Sequence, residues 1–161
     1  MKLAMSISFD RVAESYDSSI PPLPEKYIQL IKTRFELSKN DKVIDLGCGS
    51  GLLTFALLRF SSKVQGIDSS RELIRIARKR DVEHRIEWIL CPVEEFDFGC
   101  GHYKLIISFE AFHLFPDACT IFNRCAIALK PGGFFCVGWV NFEWEIPFKE
   151  IMYLFTGYKR L

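Results

Sequence analysis

Two patterns alternate from Val43 onward. Short runs dominated by apolar residues, Val43 to Leu46, Lys63 to Ile67, Arg85 to Leu90, Lys104 to Phe109 and Phe134 to Val140, read as five strands. Between them lie stretches whose apolar residues recur every three to four positions. Leu52 to Phe60 predicts a helix. A second helix runs from a cap at Ser69 or Ser70 to about Lys79, with Leu73, Ile74 and Ala77 inside, and a third covers Pro116 to Leu129. Upstream, Ile20 to Pro24 stiffens the entry to a helix carrying Tyr27, Leu30, Ile31 and Phe35, which Ser38 to Asp41 ends. "CPVEEFDFGCGHY" is a loop, Lys130 to Gly133 ("KPGG") is a turn, and the aromatic tail predicts a helix around Phe148 to Phe155.

Strands that are apolar along their whole length belong to a parallel sheet covered on both faces. The expected fold is therefore α/β, a doubly wound, Rossmann-like, mainly parallel sheet of about five strands in three αβα layers. No repeat or low-complexity linker interrupts it, so residues 1–161 are expected to form a single domain: an N-terminal segment and helix over 1–37, a core over 42–140 and an aromatic segment over 141–161.

Composition narrows the chemistry. At 161 residues with 49% hydrophobic and 25% charged positions, the chain suits one ordinary core. Its formal net charge of +1 gives no broad positive surface for tracking phosphates. The dense basic run Arg71, Arg75, Arg78, Lys79, Arg80 has helical spacing and reads as a solvated face, so neither nucleic acid nor a membrane is expected as a partner. The six cysteines contain no C-x-x-C pair and no histidine at zinc spacing, so no metal is expected. Without a secretory signal or a long apolar window, the expected location is cytoplasmic, with reduced thiols.

Ligands of such sheets bind beyond the carboxyl ends of the strands, beside the first one. There the chain reads "VIDLGCGSG" (Val43 to Gly51), with glycines at Gly47, Gly49 and Gly51 around Cys48 and preceded by Asp45. A phosphate-binding P-loop would need a lysine after the last glycine, and a dinucleotide fingerprint would need glycine where Leu52 stands. A G-x-G-x-G turn instead lets the backbone approach a small bent ligand. Asp68 ends the second strand in "GID", where a carboxylate can accept both hydroxyls of a ribose and would repel a 2′-phosphate. An unphosphorylated adenosine fits both features.

"VIDLGCGSG", "GID" and "LKPGG" together resemble the class I S-adenosylmethionine-dependent methyltransferases over about Phe9 to Val140. "FDRVAESYD" (Phe9 to Asp17) and "EAFHLFPD" (Glu110 to Asp117) further resemble the small-molecule branch that includes trans-aconitate-type enzymes. The resemblance implies S-adenosylmethionine as cofactor, released as S-adenosylhomocysteine. It implies that Gly47 to Gly51 lies against the methionine and ribose, Asp45 near the methionine end, Asp68 on the ribose hydroxyls, Ser69 beside the adenine and Tyr16 over the methionine. The adenine amino group usually meets an acidic side chain after the third strand; here "CPVEE" offers the Val93 backbone or Glu94 instead.

Methyl transfer from a sulfonium mainly needs alignment in a sheltered site. His113 is the candidate base, with packing at a helix start as the plainer reading, and Glu110 either faces the methionine amino group or stands exposed. Phe109, Phe112 and Phe115 are candidates for an acceptor pocket or for core packing. "SFEAF" (Ser108 to Phe112) lacks the [DN]-P-P-[YFW] of enzymes that methylate base amines, which disfavours that acceptor, and the branch resemblance with the near-neutral charge implies a small-molecule acceptor. Relative to that family, two C-terminal strands are expected to be missing. The exposed sheet edge or the aromatic run Phe142, Trp144, Phe148, Tyr153, Phe155 is then expected to contact a second copy in a homodimer or to fold over intramolecularly. The alternative function is a truncated or degenerate S-adenosylmethionine-binding module without independent catalysis.

Overall fold

The computed structural model describes residues 9–11, 13–15, 25–138 and the backbone of 155–156. Helix α1 (Glu25–Phe35) leads into strand β1 (Lys42–Leu46), followed by α2 (Leu52–Leu57), β2 (Lys63–Asp68), α3 (Arg71–Arg80), β3 (Ile86–Leu90), β4 (Tyr103–Phe109), α4 (Ala118–Ala128), β5 (Leu129–Gly138) and β6 (Phe155–Thr156). The strand order is β3-β2-β1-β4-β5-β6. The first five strands are parallel neighbours, and β6 lies antiparallel on β5, Phe134 against Thr156 and Phe135 against Phe155. Chain order reverses at β1, which puts the switch point between β1 and β4, where the glycine turn leaves the sheet.

Alternate side chains of each strand feed two cores. Val43, Val64, Leu105 and Ile107 meet α1, α2 and α3 on one face through Phe35, Leu53, Leu57 and Ile74. Ile44, Leu46, Ile67 and Ile106 meet Ile121, Cys125 and Ala128 of α4 on the other. Central β1 and β4 are buried on both faces, whereas edge strand β3 alternates buried with exposed, which is why its pattern is the least continuous in sequence. Each long helix after β2 starts on a side-chain cap: the Ser70 hydroxyl accepts from the Leu73 amide, and the Asp117 carboxylate from the Thr120 amide.

Three expectations change. The helix after β1 stops at Leu57, because Leu58, Arg59 and Phe60 turn with tighter three-residue backbone bonds. Lys130–Gly133 is a turn, but within β5: Tyr103 pairs with Leu129 and Leu105 with Phe134, so the four residues bulge out of the ladder. The helix expected around Phe148 to Phe155 fails at its described end, where Phe155 belongs to a strand that covers part of the β5 edge. The sheet therefore has a sixth strand where none was expected. Tyr16, Phe142, Trp144, Phe148 and Tyr153 lie outside the described residues.

Candidate functional site

The turn after β1 is held by the end of β2. The amides of Gly47 and Cys48 both donate to the Ile67 carbonyl, at 2.8 and 3.0 Å, and the Gly51 amide closes the turn on the Cys48 carbonyl at 3.0 Å. Gly47, Gly49 and Gly51 all have left-handed backbones, with φ of 69°, 56° and 91°. Two of them also make room for protein. A Cβ on Gly47 would stand 2.3 Å from that of Ala111, and one on Gly51 would stand 2.5 Å from the Trp88 ring. The Gly51 position is thus filled from within, and the segment after β4 packs directly over Gly47. Cys48 is buried, and burial pushes its thiol well above the usual range.

Asp68 faces the turn from the end of β2. Its Oδ2 accepts the Gly49 amide and its Oδ1 the Ser70 amide, both at 2.8 Å. Burial raises its carboxyl above the ordinary value, against the lowering effect of those amides. The Ser69 amide also bonds this carboxylate, yet the residue keeps partial exposure and accepting capacity for an outside donor such as a ribose hydroxyl. Ser69, next in the chain, is exposed.

Asp45 behaves differently. It is 2% exposed, and Oδ2 accepts the Thr54 hydroxyl at 2.7 Å. Burial pushes its carboxyl up to about 7, the Thr54 bond opposing and the Asp68 charge adding to the effect. It is enclosed rather than on the rim, so it acts on the site chiefly by holding α2 through Thr54. Thr54 was missed in sequence; its signal is a hydroxyl inside the first turn of an otherwise apolar helix.

The rest of the rim comes from the ends of β3 and β4. Val93 packs in the α4-side core with its carbonyl accepting from Phe96, while Glu94 is exposed and its carbonyl accepts from Arg124. Glu110 leaves β4 in a left-handed conformation, φ 58°, with its amide donating to the Gly138 carbonyl at 2.9 Å. For a residue with a Cβ this backbone costs on the order of 1–2 kcal/mol, and it is what turns Ala111 onto Gly47. His113 is exposed on the single turn Phe112–Leu114. Phe112 packs edge-on against Phe115 and Phe135, and Phe109 fills the space above Gly138, so all three aromatics serve packing while keeping part of their surface.

The structure therefore brings Gly47, Gly49, Asp68, Ser69, Glu94, Glu110 and His113 to one end of the sheet. It leaves Asp45, Cys48, Gly51 and the Val93 side chain under that surface. Among the described residues no group of three or more His, Cys, Asp or Glu is placed to hold a metal, and no helix is long and apolar enough to cross a membrane.

A partly open carboxylate beside a left-handed glycine turn suits a ligand with a ribose. The class of protein so defined is a doubly wound α/β nucleoside-cofactor binder. Residues 43–133 match the family described as methyltransferase domain, and the chain belongs to that family, the class I S-adenosylmethionine-dependent methyltransferases. It is 32% identical over 128 residues to the ubiquinone biosynthesis O-methyltransferase of Bordetella avium, covering 78% of this chain and 50% of that one. The counterpart of the same name in Xylella fastidiosa is 30% identical over 161 residues, covering 85% and 65%. The chain thus spans between about half and two thirds of these relatives.

Among solved structures, an S-adenosylmethionine-dependent methyltransferase from Mesorhizobium loti matches with a TM-score of 0.58 and 26% identity, over 68% of this chain and 52% of that one. The phosphoethanolamine N-methyltransferase 2 of Haemonchus contortus in complex with S-adenosyl-L-methionine matches in fold, with a TM-score of 0.70 at 23% identity over 84% and 34%.

Proposed function

We propose that the chain carries the methyl-transferring domain of an O-methyltransferase whose acceptor is a small molecule bearing a hydroxyl group. The observation that carries this reading is the Asp68 carboxylate, oriented by two backbone amides and still partly open beside the Gly47–Gly51 turn. In the proposed complex Asp68 accepts the ribose hydroxyls, the turn backs the ribose and methionine, Ser69 and the loop carrying Val93 and Glu94 border the adenine, and Tyr16 covers the methionine end. When bound, S-adenosylmethionine supplies an electrophilic methyl on a sulfonium sulfur and leaves as S-adenosylhomocysteine.

The chain's part is to align and shelter. The Asp68 carboxylate, accepting the Gly49 and Ser70 amides, faces the turn where the ribose hydroxyls would donate, while buried Asp45 anchors Thr54 of α2 beneath it. The tight turn and the Ala111 contact fix the backbone before a ligand arrives, so little freedom is lost on binding. In this reading Glu110 faces the methionine amino group, and exposed His113 takes the acceptor's hydroxyl proton as the new C–O bond forms. The relatives' printed name favours oxygen as the acceptor atom. The net charge of +1 argues against nucleic acid as the acceptor, and six unpaired cysteines suit the cytoplasm.

The test is a transfer assay with methyl-labelled S-adenosylmethionine and a panel of hydroxylated small aromatic and aliphatic acceptors. Labelled methyl ether is expected from at least one, and His113→Ala is expected to lower kcat about 100-fold with S-adenosylhomocysteine affinity unchanged. Binding of cofactor with no transfer to any acceptor would instead mark a cofactor-binding module, and unchanged kcat in the variant would remove His113 from the reaction.

A further inference from the structure

Two features remain outside that reading: the cations of α3, and the segment Phe9–Ser15 before α1. They meet. Asp10 Oδ1 accepts the Ser70 hydroxyl at 2.5 Å and the Glu72 amide at 3.1 Å. Ala13, three residues on, is 4% exposed. The charge of Arg71 acts on Asp10, and that of Glu14 acts on Arg75. An acidic segment therefore lies along the first turns of a basic helix, which gives two members of that cationic run an intramolecular partner.

Ser70 stands at the centre of the contact. Its hydroxyl donates to Asp10, its oxygen accepts the Leu73 amide at 3.3 Å, and its own amide donates to Asp68 at 2.8 Å. Asp68 in turn accepts the Gly49 amide at 2.8 Å. One unbroken chain of hydrogen bonds thus runs from Asp10 through Ser70 and Asp68 into the glycine turn, joining residues some sixty positions apart in sequence.

We propose that Asp10 is a positioning residue for cofactor binding: by fixing Ser70 it fixes the Asp68 carboxylate, so docking of Phe9–Ser15 on α3 and occupation of the site are coupled. This rests on Asp68 facing the ribose as read above. Coupling is reciprocal, so the cofactor must hold the segment in place as much as the segment strengthens the cofactor's grip. Both bonds to Asp10 end on the same oxygen, so an amide oxygen can replace it. Asp10→Asn therefore keeps the geometry while removing the charge, and Asp10→Ala removes both.

The full chain, Asp10→Ala and Asp10→Asn are titrated with S-adenosylhomocysteine, and trypsin cleavage after Arg11 is followed by mass spectrometry with and without that ligand. Asp10→Ala is expected to raise Kd about three- to tenfold, and Asp10→Asn to stay within about twofold of the parent. Saturating ligand is expected to slow cleavage after Arg11 in the parent and in Asp10→Asn, but not in Asp10→Ala. Equal Kd and equal protection in Asp10→Ala would overturn the coupling and leave the cofactor reading standing. A loss in Asp10→Asn as large as in Asp10→Ala would overturn the hydrogen-bonded route. No binding by the parent would overturn the cofactor reading itself, and the coupling with it.

Discussion

Two aspartates on neighbouring strands, Asp45 in β1 and Asp68 at the end of β2, do different work because burial and hydrogen-bond partners differ. Asp68 keeps an open side and accepts the amides of Gly49, Ser69 and Ser70; Asp45 is enclosed and meets a single hydroxyl. The enclosure has a consequence for stability. The folded state holds the Asp45 proton up to about 7, above the ordinary 3.8, so folding favours the protonated acid. That contribution is whole below the ordinary value and is lost as pH rises from about 4 to about 7, at no more than about 1.4 kcal/mol per pH unit. Asp68 shifts in the same direction. Asp41 and Glu25, held near about 2 by Lys130 and Arg59, act in the opposite sense and in another window, losing their contribution as pH falls below the ordinary carboxylate range. Urea midpoints taken between pH 5 and 7.5 are therefore expected to fall with rising pH in the parent and to flatten in Asp45→Asn. A parent whose midpoint is level across that interval would show that Asp45 is not held protonated.

At the scale of elements, the site is a joint between the β1 turn, the end of β2 and the segment after β4. Gly47→Ala is expected to destabilise the fold by about 2–4 kcal/mol, because it forces a left-handed alanine and drives a methyl into Ala111. A denaturation midpoint within experimental error of the parent would mean that the segment after β4 yields without cost. The element pattern itself was legible in sequence where both faces of a strand are buried. Val43 to Leu46 and Lys104 to Phe109 announce themselves as continuous apolar runs because α1, α2 and α3 cover one side and α4 the other. The glycine turn was legible as a turn, but its reasons were divided in a way no single sequence displays. Gly51 is a glycine because Trp88, thirty-odd positions on, occupies its Cβ space, and that contact is made by a β3 side chain crossing under the turn. Phe155 was misread because its strand exists only through pairing with β5, a long-range contact that leaves no local period.

At the scale of the whole molecule, a parallel sheet with its order reversing at β1 concentrates the polar groups at one end and lets the apolar cores occupy both faces. Asp68 ends β2, while Glu110 and His113 share the connection after β4, and they reach the same rim because β2 and β4 flank β1 and both point their carboxyl ends the same way. The segment Phe9–Ser15 joins that rim from outside the sheet order, through Asp10 on α3. Its distance along the chain is why the sequence pattern alone does not show Asp10 at the start of α3: the two meet only after β2 and α3 have formed. The central claim is that the opening beside Asp68 receives the ribose of S-adenosylmethionine. It is tested most directly by calorimetric titration of the 161-residue chain and of Asp68→Ala with S-adenosylhomocysteine. The account predicts micromolar binding by the parent and a loss of about 1–3 kcal/mol, roughly five- to 150-fold in Kd, in the variant. Equal affinity in the two proteins, or none in the folded parent, would contradict it.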